Sequence, residues 1–179
     1  QTKSLSQLNS LITHWAKELG FQQVGIANAD LSQEKERLNK WLSAGHHGSM
    51  GWIEDRKDMR LKPDLLVPGS LRAISVRLNY LPENTEQIVN LKTPNKAYIS
   101  RDALGRDYHK LMRKRLATLA QKIETFCHEY LPELDINQRP FVDSAPILER
   151  PLASQAGLGW IGKLTLVLNQ NAGSWFFLG

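Results

Sequence analysis

The chain has 179 residues, with 23 Lys and Arg against 18 Asp and Glu for a formal charge of +5; that length suits one well-cored domain, or a main domain with a small appendage. Its 41% hydrophobic and 23% charged residues are those of an ordinary soluble globular protein, and no apolar run approaches the roughly 18–20 residues of a helical membrane span. The N-terminus lacks the apolar core and cleavage site of a secretory signal, and the single cysteine excludes an internal disulfide and a protein-only thiolate cluster, so a cytoplasmic protein is expected.

The elements follow in chain order. Leu5, Leu8, Leu11, Ile12, Trp15 and Leu19 recur near helical spacing and predict an amphipathic first helix. "FQQVGIANAD" reads as a strand closing on a polar turn, and "LSQEKERLNKWLSAGHHG" as a helix stopped at Gly45 or Gly48. The next segment, to Ser70, is loop-rich with a short helical turn. "LRAISVRLNYLP" is the best strand in the chain, halted by Pro82. A polar excursion runs from Glu83 to Lys96, "AYIS" follows, and a long basic helix is expected from about Asp107 to Tyr130. "RPFVDSA" is expected to be a strand and "ERPLASQAGLG" a helix with a glycine stop. "LTLVLN" and "SWFFLG" are expected as apolar strands paired through the turn at "QNAG". The pattern gives an α+β fold, a mixed sheet with flanking helices. Because "GSWFFLG" ends on an apolar, central-looking strand, the chain is expected to continue beyond Gly179 in a longer protein.

Charge and chemistry concentrate in two places. Arg101, Arg106, His109, Lys110, Arg113, Lys114 and Arg115 fall within about four helical turns. Such a stripe neutralises phosphates of a nucleic acid or an anionic cofactor tail, and it reads equally well as a solvated helix face. The second place is Asp143, which follows two apolar residues and precedes Ser144, Ala145 and Pro146. A partly desolvated carboxyl at a strand end has its pKa raised and serves as a general acid; an Asp also commonly opens a turn. Glu149 and Arg150 read as a structural pair or as supporting groups. Gly157, Gly159 and Gly162 fit neither phosphate-loop fingerprint and suit close backbone approach beside a bulky ligand. Lys163 is available to an anion. His46, His47 and His109 have no metal-ligand spacing, and Cys127 reads as a small core residue.

The block "RPFVDSAPILERPLASQAGLGWIGKLTLVLNQNAGSWFFLG" resembles the epoxyqueuosine reductase family. The likeness extends to "ELGFQQVGIANADL", "HHGSMGWI", "MRLKPDLLVPGSLRAISVRLNYLP" and "YISRDALGRDYHKLMRKRL". The resemblance implies reduction of the epoxide of epoxyqueuosine, at the wobble position of tRNA, to the cyclopentene of queuosine. It implies a cobalamin-binding domain over 1–179, similar to that of reductive dehalogenases and distantly to nitroreductases. A ferredoxin-like domain with two [4Fe–4S] clusters and a helical-repeat segment are implied beyond 179, fed by an electron donor. Asp143 matches the family's proton-donating aspartate. Arg60, Ser100, Val167 and Leu178 match cofactor-contact positions, and Arg101, Arg106, Lys110, Arg113 and Lys114 become candidates for contact with tRNA or the cofactor tail. No metal ligand is expected within this chain, and a monomer is expected. Asp102 stands where relatives carry a tyrosine, which puts that contact in doubt. The rival readings are a cobalamin-dependent reductase of a small molecule, a flavin nitroreductase, and a non-catalytic RNA-binding module.

Overall fold

The computed structural model describes residues 2–82 and 85–179. Helix α1 (Thr2–Glu18) leads into β1 (Gln23–Asn28), α2 (Lys35–Ser43) and two short helices, α3 (Trp52–Asp55) and α4 (Lys57–Leu61). Strand β2 (Arg72–Asn79), α5 (Gln87–Leu91) and the long α6 (Tyr108–Tyr130) follow. The chain closes with α7 (Glu149–Gln155), β3 (Trp160–Ile161), β4 (Val167–Leu168) and β5 (Phe176–Leu178). No helix of the described residues is long and apolar enough to cross a membrane.

The main sheet has the order β1-β2-β5, with β2 between its two neighbours. Side chains of a strand alternate between faces, and β2 uses both. Val76 and Leu78 point to α1 and α6, where Ile12, Phe21, Met112 and Leu119 complete the larger core. Ala73 points the other way and packs in a cluster with Leu152 of α7. In β5, Phe176 and Leu178 pack with Ala153, Leu158 and Val167 on the α7 side, while Phe177 turns to the α6 side. The result is a sheet with helices on both faces. Cys127 is 1% exposed inside the larger core, the place its helical spacing indicated.

Gly25 sets how closely α7 can approach. A Cβ built there would lie 1.9 Å from the carbonyl oxygen of Ala156, the C-cap of α7. Gly159 is similarly confined, its Cβ position lying 2.1 Å from the Leu168 carbonyl oxygen.

Several expectations are corrected. Every strand pair is antiparallel among the described residues, so the sheets are not mixed in strand direction. "LTLVLN" contributes only Val167–Leu168, which pairs with β3 rather than with "SWFFLG". The turn at "QNAG" closes a single bridge between Asn169 and Gly173, after which the chain crosses to β2. "RPFVDSA" is not a strand. Pro140 has no N–H to give to a ladder, the Asp143 N–H donates to Glu149 Oε1 at 3.1 Å, and the Ser144 N–H donates to the Val142 carbonyl at 2.6 Å. The polar excursion contains α5, too short for its apolar spacing to signal a helix; Glu83 and Asn84 of that stretch lie outside the described residues.

Candidate active site

Asp143 adopts φ +56°, a left-handed conformation that Asp tolerates better than most residues. The turn places its side chain at the rim of a cavity of about 580 Å³ that Arg60, Glu149, Val167, Phe177 and Leu178 also line. Four of the residues singled out from the sequence (Asp143, Arg60, Val167 and Leu178) therefore surround one space.

The N-terminus of α6 supplies the partners of Asp143. Asp107 caps the helix, its Oδ1 accepting from the His109 backbone N–H at 2.9 Å. The same oxygen lies 2.7 Å from His109 Nδ1, and His109 Nε2 lies 3.2 Å from Asp143 Oδ2. Tyr108 donates its hydroxyl to that same Oδ2. The Tyr108 ring stacks on Phe177 at 3.7 Å and 8°, and on His109 at 4.1 Å and 23°. Burial, the hydrogen bond to Asp143 and nearby carboxylates push the Tyr108 hydroxyl well above its ordinary pKa, so it stays protonated as a donor.

Sequence reasoning expected the desolvated carboxyl at Asp143. The structure leaves 49% of that side chain exposed, because the segment is a turn and not a strand end. Burial acts instead on Glu149, at the start of α7, whose carboxyl is pushed up to about 7 by desolvation and then by the charge of Asp143. Glu149 lines both the large cavity and a second one of about 200 Å³. Its position in a helix with apolar neighbours concealed this from the sequence. Tyr108 and His109 were concealed too, because their roles depend on the Asp143 turn folding back onto α6.

Arg60 is half-buried, with its guanidinium 5.5 Å above the Trp52 ring. Its Nε is buried with no hydrogen-bond partner among the described residues, and burial lowers its pKa. Ser100 is exposed and donates to Asp102, outside the cavity lining. Arg101 sits in a 3-10 turn and Arg106 in the loop before α6. Lys110, Arg113 and Lys114 form an exposed side of α6, and Arg113 Nη2 reaches 3.5 Å from Ser144 Oγ, beside Asp143. Arg115 leaves the stripe and lies over Gly20. Among the described residues no group of His, Cys, Asp and Glu is arranged to hold a metal ion.

A small antiparallel sheet between helices, carrying a carboxylate, tyrosine and histidine cluster at a cavity, makes this an α+β domain with one candidate site. The family model described as epoxyqueuosine reductase QueG, DUF1730, matches residues 60–144. The chain is 58% identical to the epoxyqueuosine reductase of Aliivibrio fischeri over 97% of its own length and 45% of that protein. It is 54% identical to that of Escherichia coli, over 98% of the chain and 45% of the relative. Among solved structures, epoxyqueuosine reductase from Streptococcus thermophilus superposes with a TM-score of 0.76 at 25% identity, over 95% of this chain and 44% of that one. An epoxyqueuosine reductase crystallised with a tRNA-Tyr epoxyqueuosine-modified stem loop gives the same TM-score and identity over 97% and 44%. Over the part of those proteins that it spans, the chain is similar in sequence and in fold to epoxyqueuosine reductases. It covers less than half the length of these curated relatives.

Proposed function

We propose that the protein containing this chain reduces epoxyqueuosine in tRNA to queuosine, and that residues 1–179 form its cobalamin-binding catalytic domain with Asp143 as the acid. The observation that carries this reading is Asp143 itself: a carboxyl held in a left-handed turn at a cavity, with the Tyr108 hydroxyl and His109 Nε2 both on one of its oxygens. Opening an epoxide without a proton would leave an alkoxide, and a positioned acid gains about 10²–10⁴-fold. The comparison with a relative bound to an epoxyqueuosine-modified stem loop supports the substrate class.

The cavity residues fit a large, flat, amide-fringed ligand. Val167 and Leu178 offer an apolar wall, and the buried, unpartnered Nε of Arg60 is a donor suited to such an amide. When bound, cobalamin supplies the reducing power at the epoxide carbon. Ser100 would have to release Asp102 to join the site. The fold is read as akin to that of reductive dehalogenases, and distantly of nitroreductases. A [4Fe–4S] cluster takes four thiolates and this chain has one cysteine, so the two clusters and the contacts to an electron donor would lie in other parts of the protein. Arg101, Arg106, Lys110, Arg113 and Lys114 would meet the tRNA backbone or the cofactor tail, a face that a small-molecule reductase would not need. The working state is read as a cytoplasmic monomer.

The test is Asp143→Asn in the full-length enzyme, with tRNA nucleosides quantified by mass spectrometry. Cobalamin binding should persist while queuosine formation falls at least a hundredfold; near-normal turnover would remove Asp143 as the acid.

A further inference from the structure

Removing an epoxide oxygen to leave an alkene consumes two electrons and two protons. Both C–O bonds break, a C=C bond forms, and the oxygen departs as water. The two electrons would come from the iron–sulfur clusters proposed above for the full protein. A single carboxyl carries only one of the protons, so the site needs a second source.

We propose that the Asp107–His109 pair supplies the second proton, handed to Asp143 through His109 Nε2. This inference rests on Asp143 being the acid. Asp107 is fixed as the helix cap and accepts from both the His109 backbone N–H, at 2.9 Å, and the ring Nδ1, at 2.7 Å. Those hydrogen bonds hold its carboxyl below the ordinary range, so it stays an acceptor and Nδ1 stays protonated. The exchangeable position is then Nε2, which faces Asp143 Oδ2 at 3.2 Å. The Tyr108 ring, itself pinned by Phe177, lies flat on the imidazole and fixes its plane. The His109 side chain is 35% exposed, which leaves the ring a route for refilling from water.

The order of events balances. Asp143 protonates the epoxide oxygen as the first C–O bond breaks and becomes a carboxylate. The His109 imidazolium passes its Nε2 proton to Oδ2, and rotation of the carboxyl brings that proton to the substrate. Asp143 then protonates the hydroxyl as the second C–O bond breaks and water leaves. Asp143 ends as a carboxylate and His109 neutral, with Nδ1–H on Asp107; His109 takes a proton from solvent, passes it to Oδ2, and then takes a second, which restores both groups. The other groups bearing on this exchange are Tyr108 on Oδ2, Glu149 at the Asp143 N–H, Asp102 through its charge near Tyr108, Lys110 through its charge near Asp107, and Arg113 at Ser144. His109 acts through Asp143 and is a positioning and proton-supplying residue.

The experiment uses the full-length, cofactor-loaded enzyme. His109→Ala should lower kcat about a hundredfold, leave KM for the tRNA within twofold, and recover at least tenfold when imidazole is added. A purely structural histidine would show no such rescue. Turnover within threefold of the unaltered enzyme, or a loss that imidazole does not restore, overturns the proposal. A second measurement needs neither the variant's folding nor the cofactor. In the unaltered full-length protein labelled with ¹⁵N-histidine, the His109 ring, assigned by its absence in His109→Gln, should carry its proton on Nδ1 when neutral; the Nε2–H tautomer overturns the proposal. Loss of turnover in Asp143→Asn with full turnover in His109→Ala removes the relay alone. Full turnover in Asp143→Asn removes the reading beneath it.

Discussion

Replacing Glu149 with Gln tests the electrostatics of the site through stability. The native carboxyl is raised from its ordinary 4.5 to about 7, chiefly by burial and then by Asp143. A raised acid binds more protons in the native state than in the unfolded chain between those values. The contribution of Glu149 to stability is therefore greatest below about pH 4.5, falls as pH rises towards about 7, and stays at the lower level above it. At about 1.4 kcal/mol per pH unit, that difference corresponds to about 3 kcal/mol. Gln keeps an oxygen to accept the Asp143 N–H but has no charge to desolvate. The variant should match the unaltered protein near pH 4.5 and exceed it by about 2–3 kcal/mol at pH 8. Urea unfolding at several pH values, followed by tryptophan fluorescence, measures the gap. Two stability curves that run parallel from pH 4.5 to 8 would refute the argument, because the cost of ionising Glu149 would then be absent from folding.

Gly25→Ala should lower stability by about 1–3 kcal/mol or more, since its Cβ would sit 1.9 Å from the Ala156 carbonyl oxygen; a melting temperature unchanged within error would show that α7 yields freely. Replacing Lys110, Arg113 and Lys114 together with Ala should weaken tRNA binding, and should flatten the slope of log affinity against log salt by about 2–3. Titrations at several ionic strengths give that slope directly, and an unaltered slope would free these residues from phosphate contact.

The long elements were legible because their periodicity is sustained. Met112, Leu116, Leu119 and Ile123 mark the core side of α6, and Ile74, Val76 and Leu78 mark one face of β2. The sequence around Asp143 misled for a physical reason. Phe141 and Val142 look like a strand, but the local N–H groups are taken by a side chain and a neighbouring carbonyl, so no ladder can form. Pairing between strands was equally hidden, since β5 reaches β2 across about a hundred residues and only tertiary packing selects that partner. The candidate site shows the same division. Asp143 stood out from its local context and from motif resemblance, Arg60, Val167 and Leu178 from resemblance alone, and all four line one cavity. Tyr108, His109 and Glu149 become partners of Asp143 only once α6 and α7 converge on its turn.

The backbone contact at Gly25 gives α7 an asymmetric mounting. Its C-terminal end rests directly on β1 with no side chain to compress, so that end is a fulcrum. From Ala156 back to Glu149 the helix extends about 10 Å, at about 1.5 Å per residue. On an arm of that length a tilt of about 5° displaces Glu149 by about 1 Å, enough to break a hydrogen bond of ordinary length. The bond at stake joins Glu149 to the Asp143 N–H at 3.1 Å. A tilt of this short helix would thus be transmitted directly to the turn that holds Asp143.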